Sequence, residues 1–125
     1  MNQKTIFTVI GAILVLQGIF FFTMCEKVNT DAFPTIDEAG KTSAMPLLQV
    51  MAVLSVIVGL ITYAARNTPQ VLWAYTIGFA LFTVLSLKHL LADHINVPIP
   101  ALVIQIGITL VCAYLWMQSN KTTAS

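Results

Sequence analysis

The side chains best suited to chemistry lie together at residues 88–94, at the end of an apolar segment. Lys88, His89 and Asp93 occur there, and His94 follows directly. His89 and Asp93 are four residues apart, so on a helix they share a face and can form a hydrogen bond. A carboxylate beside an imidazole fixes which ring nitrogen carries the proton. The pair could relay a proton or orient a metal ligand, and the alternative is a polar anchor at the membrane surface.

Three glutamines, Gln17, Gln49 and Gln105, lie inside three other apolar segments. At a rise of about 1.5 Å per residue, Gln17 lies roughly 12 Å from the loop-bearing end of its segment, and Gln49 and Gln105 roughly 6–9 Å from theirs. His89 is nearer still to its end, so all four fall in the same half of a bilayer. Polar groups that face lipid are costly, so we expect them to point inward. They predict a polar pocket under the first loop, or else amides that hydrogen-bond to one another.

The sequence predicts no metal site, cofactor or disulfide. His89 and His94 are five residues apart, which is poor geometry for one metal ion. Cys25 ends the first apolar segment and Cys112 lies well inside the fourth, so we expect the two thiols to be too far apart to bond. Both are interpreted as small buried hydrophobic residues.

Composition and segment length predict the fold class. The chain is 58% hydrophobic and only 9% charged, whereas a soluble domain carries about 25% charged residues. A membrane helix needs about 20 mostly apolar residues, and four segments are long enough. We therefore predict an all-α protein, an integral membrane bundle of four transmembrane helices in up-down-up-down order. It forms a single domain over residues 1–125, with spans at about 5–25, 44–65, 71–91 and 99–117 and a polar loop at 26–43.

The polar loop contains a weak helical signal. Thr35 and Glu38 have the spacing of a capping box, which predicts a short helical turn. Gly40 follows at once, and glycine commonly ends helices, so we expect the turn to end there.

Small residues recur along the spans and predict the helix contacts. In lipid, helices associate through small side chains that allow close approach, because apolar burial alone does not distinguish a partner helix from lipid. The candidates for helix packing are Gly11, Gly18, Ser55, Gly59 and Gly78.

The distribution of charge bears on orientation and partners. Lysine and arginine divide evenly between the two sides of the predicted bundle, and counting Lys88 as intramembrane favours both termini in the cytoplasm. The net charge of +1 offers no basic surface for nucleic acid. The expected partners are the lipid bilayer and either further copies of the chain or a larger membrane complex.

The hairpin from Lys88 to Gln105 supports a family resemblance. It has a basic residue, then Asp93, then Pro98, then a polar residue in the last span. With four spans and a longer first loop, this pattern resembles the small DoxX-like four-helix membrane proteins of bacteria. The resemblance implies the fold and a bacterial inner membrane more than a function. It also implies an acid where Gln105 stands, and the chain departs from the pattern there.

Three functions are compatible with the sequence. Because no catalytic constellation is visible, we favour a non-catalytic accessory subunit or assembly factor over an enzyme. The alternative is a binder or transporter of a small molecule that uses the predicted pocket. The second alternative is a quinone-linked membrane oxidoreductase that uses His89 and Asp93. The candidates for ligand or proton binding are Gln17, Gln49, Lys88, His89, Asp93 and Gln105.

Overall fold

A computed structural model describes residues 2–93 and 95–124, so His94 lies outside the described residues. This part of the chain is helical and contains no strand, which confirms the all-α fold class. Two short 3₁₀ turns, Ala65–Asn67 and Pro69–Val71, precede the fourth helix. The helices are α1 (Gln3–Thr23), α2 (Cys25–Ala32), α3 (Glu38–Ala64), α4 (Leu72–Leu91) and α5 (Ile99–Ala124).

Four helical segments are long and apolar enough to cross a membrane, as predicted. They are Gln3–Thr23, Glu38–Asn67, Pro69–Leu91 and Ile99–Ala124. At about 1.5 Å per residue, even the shortest, of 21 residues, is long enough for the roughly 30 Å of a hydrocarbon core.

The polar segment 26–43 is largely helical, because it contains most of α2 and the beginning of α3. The short turn that the sequence predicted to end at Gly40 is wrong, since α3 continues through Gly40. The reason is Asp37, which directly precedes α3. Its Oδ1 accepts a hydrogen bond from the Gly40 backbone N–H at 2.8 Å. This bond satisfies an amide in the first helical turn, so Gly40 lies at the beginning of a helix.

The described chain divides into two compact units. The first unit, Ile6–Ala64, contains α2, α3 and nearly all of α1. The second contains the described residues before Ile6 and those from Ala65 onward, with α4 and α5.

Glycines bring α1 and α3 into backbone contact within the first unit. A Cβ atom added at Gly11 would lie 2.8 Å from the Gly59 carbonyl oxygen, and one added at Gly18 would lie 2.5 Å from that of Ala52. These contacts pair rising residue numbers in α1 with falling numbers in α3, so the two helices are antiparallel. Between them, Ser55 Oγ donates a hydrogen bond to the Leu14 carbonyl at 2.9 Å. Four of the five predicted packing residues therefore lie along this one interface.

In the second unit, α4 and α5 pack against each other. The buried residues of α5 are Ala101, Leu102, Gln105, Ile108, Cys112 and Leu115. Apart from Leu102, they recur at steps of three and four residues and so form one face of the helix. Gly78 of α4 differs from the glycines of the first unit, because a Cβ added there has no heavy atom within 4 Å among the described residues.

We predict that Gly18→Leu destabilises the folded protein and that Gly78→Leu does not. At Gly18 the new side chain meets the α3 backbone, which cannot move aside as a flexible side chain would. Overpacking of this kind costs typically about 1–3 kcal/mol, whereas a change in open space stays within about 0.5 kcal/mol. Both variants gain the same helix propensity, so Gly78→Leu is a matched control. Unfolding by denaturing detergent in mixed micelles measures the difference, and equal stability of the two variants would contradict the assigned interface.

Candidate functional site

The structure brings Lys88, His89 and Asp93 together at the C-terminal end of α4. Lys88 and His89 lie in the last turn of this helix. Beyond it the chain folds back, because the Lys88 carbonyl accepts from the Asp93 N–H at 3.3 Å and the His89 carbonyl accepts from the Ile95 N–H at 2.9 Å. This reversal turns the Asp93 carboxylate toward the helix. Its Oδ2 lies 2.7 Å from His89 Nδ1 and accepts a hydrogen bond from Lys88 Nζ at 3.3 Å.

Two basic side chains thus share a single carboxylate oxygen. The His89 hydrogen bond, and then that from Lys88, lower the pKa of Asp93 below its ordinary value of 3.8. Asp93 is therefore ionised near neutral pH and accepts a hydrogen bond from His89, which places the imidazole proton on Nδ1. All three side chains are partly exposed. The cluster can exchange protons with water at the end of a span, and it can also anchor that end at the headgroups.

Gln105 is one of two buried polar side chains that meet in the second unit. Ser86 Oγ of α4 donates a hydrogen bond of 3.0 Å to Gln105 Oε1 of α5. Ser86 was not among the predicted site residues, although it lies three residues before His89 and so on the same side of α4. The bond satisfies the amide oxygen of Gln105 inside the α4–α5 pair, although the donor is a serine hydroxyl and not another glutamine.

Gln17 and Gln49 lie in the first unit and are not satisfied in this way. Gln17 of α1 is half-buried, and its Oε1 is buried with no hydrogen-bond donor in the described part of the chain. Gln49 of α3 is exposed. The pocket predicted from Gln17, Gln49, His89 and Gln105 stays a prediction.

The sequence did not reveal a second polar cluster, which lies between α2 and α3. Asn29 is 1% exposed, and its Nδ2 donates a hydrogen bond of 2.8 Å to the Lys41 carbonyl. Its Oδ1 is buried without a donor among the described residues. One turn earlier, the buried Cys25 Sγ lies 3.2 Å from Met45 Sδ. The only signal in the sequence was the spacing of four residues that Cys25–Asn29 and Lys41–Met45 share.

Neither cluster contains three of the side chains that most often bind metal ions in proteins, among the residues that the structure describes. In residues 2–93 and 95–124, no three His, Cys, Asp or Glu side chains lie close enough to hold one ion. Cys25 and Cys112 are both buried free thiols.

Comparison with known proteins identifies no relative. No protein-family model, curated protein or solved structure matches this chain.

We predict that His89→Ala raises the pKa of Asp93 toward 3.8, and that Lys88→Ala does so by a smaller amount. The His89 hydrogen bond is the larger cause of the lowered pKa. Because the folded-state pKa is depressed, the stability that Asp93 contributes is complete above pH 3.8 and is lost as the pH falls through the lower folded value. The NMR chemical shift of the Asp93 carboxyl carbon, recorded against pH in detergent micelles, measures this pKa. An unchanged midpoint in His89→Ala would show that the bond does not form.

Proposed function

We propose that this chain is a small integral membrane protein of the bacterial inner membrane and a non-catalytic accessory subunit or assembly factor of a larger membrane complex. Its four long helices cross the membrane in up-down-up-down order as a single bundle, with both termini in the cytoplasm. We also propose that the chain is related to the DoxX-like proteins, and the residue pattern from Lys88 to Gln105 supports this relationship.

Exposed apolar side chains support the proposal that the chain is an integral membrane protein. Each long helix carries a leucine with between 64% and 68% of its surface exposed. Side chains of this kind on every long helix suit a lipid environment better than water, where large apolar patches lead to association. The four leucines are Leu16, Leu47, Leu81 and Leu110.

The observation that carries the accessory role is the exposure of Gln49. This side chain belongs to an apolar stretch of α3, between the exposed Leu47 and Met51. A side-chain amide that finds no partner in an apolar environment costs roughly 1–3 kcal/mol on the scale of protein mutational data. A polar side chain of another membrane helix could hydrogen-bond to Gln49 and offset this cost. We therefore assign this face of α3 to contact with a partner subunit.

A photo-cross-linking residue in place of Gln49 tests the assignment, with the same residue in place of Leu110 as the control. Leu110 is an exposed apolar side chain of α5, so it should react mainly with lipid. In the native host we expect position 49 to yield a cross-link to a different protein at several times the yield of position 110. Lipid adducts alone at position 49 would contradict the accessory role. Cross-links between copies of this chain would instead assign the face to a homo-oligomer.

One observation favours the second candidate, a binder or transporter of a small molecule. The buried Gln17 Oε1 lacks a donor among the described residues, and a ligand with an N–H or O–H group could supply one. No observation favours the quinone-linked oxidoreductase, which stays a prediction from the sequence.

A further inference from the structure

The sulfur atoms of Cys25 and Met45 are in contact at the beginning of α2, just after the end of α1. Cys25 is the first residue of α2, and its side chain is 5% exposed. Its Sγ lies 3.2 Å from Met45 Sδ and 3.8 Å from the Met45 carbonyl oxygen. Thiolate and thioether sulfurs are soft ligands, of the kind that bind Cu(I) and zinc. We propose that Cys25 and Met45 form a binding site for a soft monovalent metal ion, Cu(I).

Asn29 provides independent evidence that an ion or a water molecule binds beside Cys25 and Met45. It follows Cys25 by four residues, about 6 Å of helix rise, and is buried on the same side of α2. Its Oδ1 has no donor in the described part of the chain, although the side chain is only 1% exposed. A buried oxygen without a hydrogen-bond donor is unusual, and a bound water or ion is a common explanation. A water that accompanies the metal ion could donate to this oxygen.

The charge balance favours a monovalent ion. A thiol must lose its proton to bind a metal, and here the proton passes to water. The thiolate then carries one negative charge and Met45 carries none, so a monovalent ion gives a neutral site. A divalent ion would leave one positive charge uncompensated at a buried position, and such a charge is costly.

The site can adjust to an ion between the two sulfurs. At 3.2 Å the sulfurs are in contact, so they must separate when an ion binds. Met45 has an unbranched side chain with three rotatable bonds. The next residue, Pro46, lies inside α3 and has no backbone N–H, so it interrupts the hydrogen-bond ladder beside Met45.

An open hollow of about 430 Å³ lies on the exposed side of α2, and the buried Cys25 is not part of its lining. The hollow is bounded by Thr23, Met24, Glu26, Lys27, Thr30 and Asp31. Met24 directly precedes Cys25 and offers a third soft sulfur to an arriving ion. Asp31 is paired with Lys27 at 3.0 Å, so Glu26 supplies the carboxylate that attracts cations to the hollow.

Competition for Cu(I) tests the site on the full chain, purified in mild detergent without oxygen. Cu(I) is supplied as its complex with the chromogenic chelator bicinchoninate, and loss of the chelator colour measures transfer to the protein. We expect the native chain to take up one equivalent. Cys25→Ala should lose this binding, and Met45→Leu should weaken it by at least about tenfold, the lower end of the effects seen at the periphery of metal sites. Cys112→Ala, the matched control, should bind as the native chain does.

Met45→Leu keeps the test decisive if Cys25→Ala does not fold, because it nearly conserves volume and hydrophobicity. X-ray absorption at the copper edge of the loaded native chain should show sulfur as the dominant ligand. Failure of the native chain to compete for Cu(I) would overturn the proposal. So would unchanged affinity in Met45→Leu, or loss of binding in Cys112→Ala.

Discussion

The need to satisfy polar groups without water governs this molecule. In hydrocarbon a backbone amide or carbonyl has no solvent partner, so segments long and apolar enough to cross a membrane must be helices that satisfy their own backbone groups. The hydroxyl groups in the spans follow the same rule. Thr62, Thr83 and Thr109 each donate a hydrogen bond to the carbonyl four residues earlier, at 2.7–2.8 Å. Few polar groups remain for other uses, and those few are the candidates for function.

The two units meet this requirement in different ways. In Ile6–Ala64, glycine allows the backbones of α1 and α3 to touch, and Ser55 donates a hydrogen bond across the interface. In the second unit, α4 and α5 share the Ser86–Gln105 hydrogen bond inside an apolar face. These groups hold helices together and are not free to bind a ligand. By contrast, Gln17 Oε1 and Asn29 Oδ1 are buried without a donor among the described residues, and the Gln49 side chain is exposed. We therefore expect a ligand or a partner protein to bind at these groups.

Sequence reasoning predicted what depends on length and composition, and it missed what depends on tertiary contact. The long apolar runs and the spacing of His89 and Asp93 were enough to predict four long helices and a possible hydrogen bond between these residues. The cap at Asp37 was missed because Thr35 and Glu38 gave a competing capping signal. The Cys25–Met45 contact joins residues twenty positions apart, and only the packing of α2 on α3 brings them together. The sequence places Ser86 on the same side of α4 as His89. Residue spacing within α4 cannot show that Ser86 hydrogen-bonds to Gln105 of α5.

Native mass spectrometry of the protein, extracted from its own host in mild detergent, tests the accessory role most directly. We expect different subunits to accompany the chain, and we expect Gln49→Leu to weaken their retention. A protomer without other subunits, or an oligomer of this chain alone, would contradict it. Extra mass that matches a small molecule, lost in Gln17→Leu, would instead favour the binder.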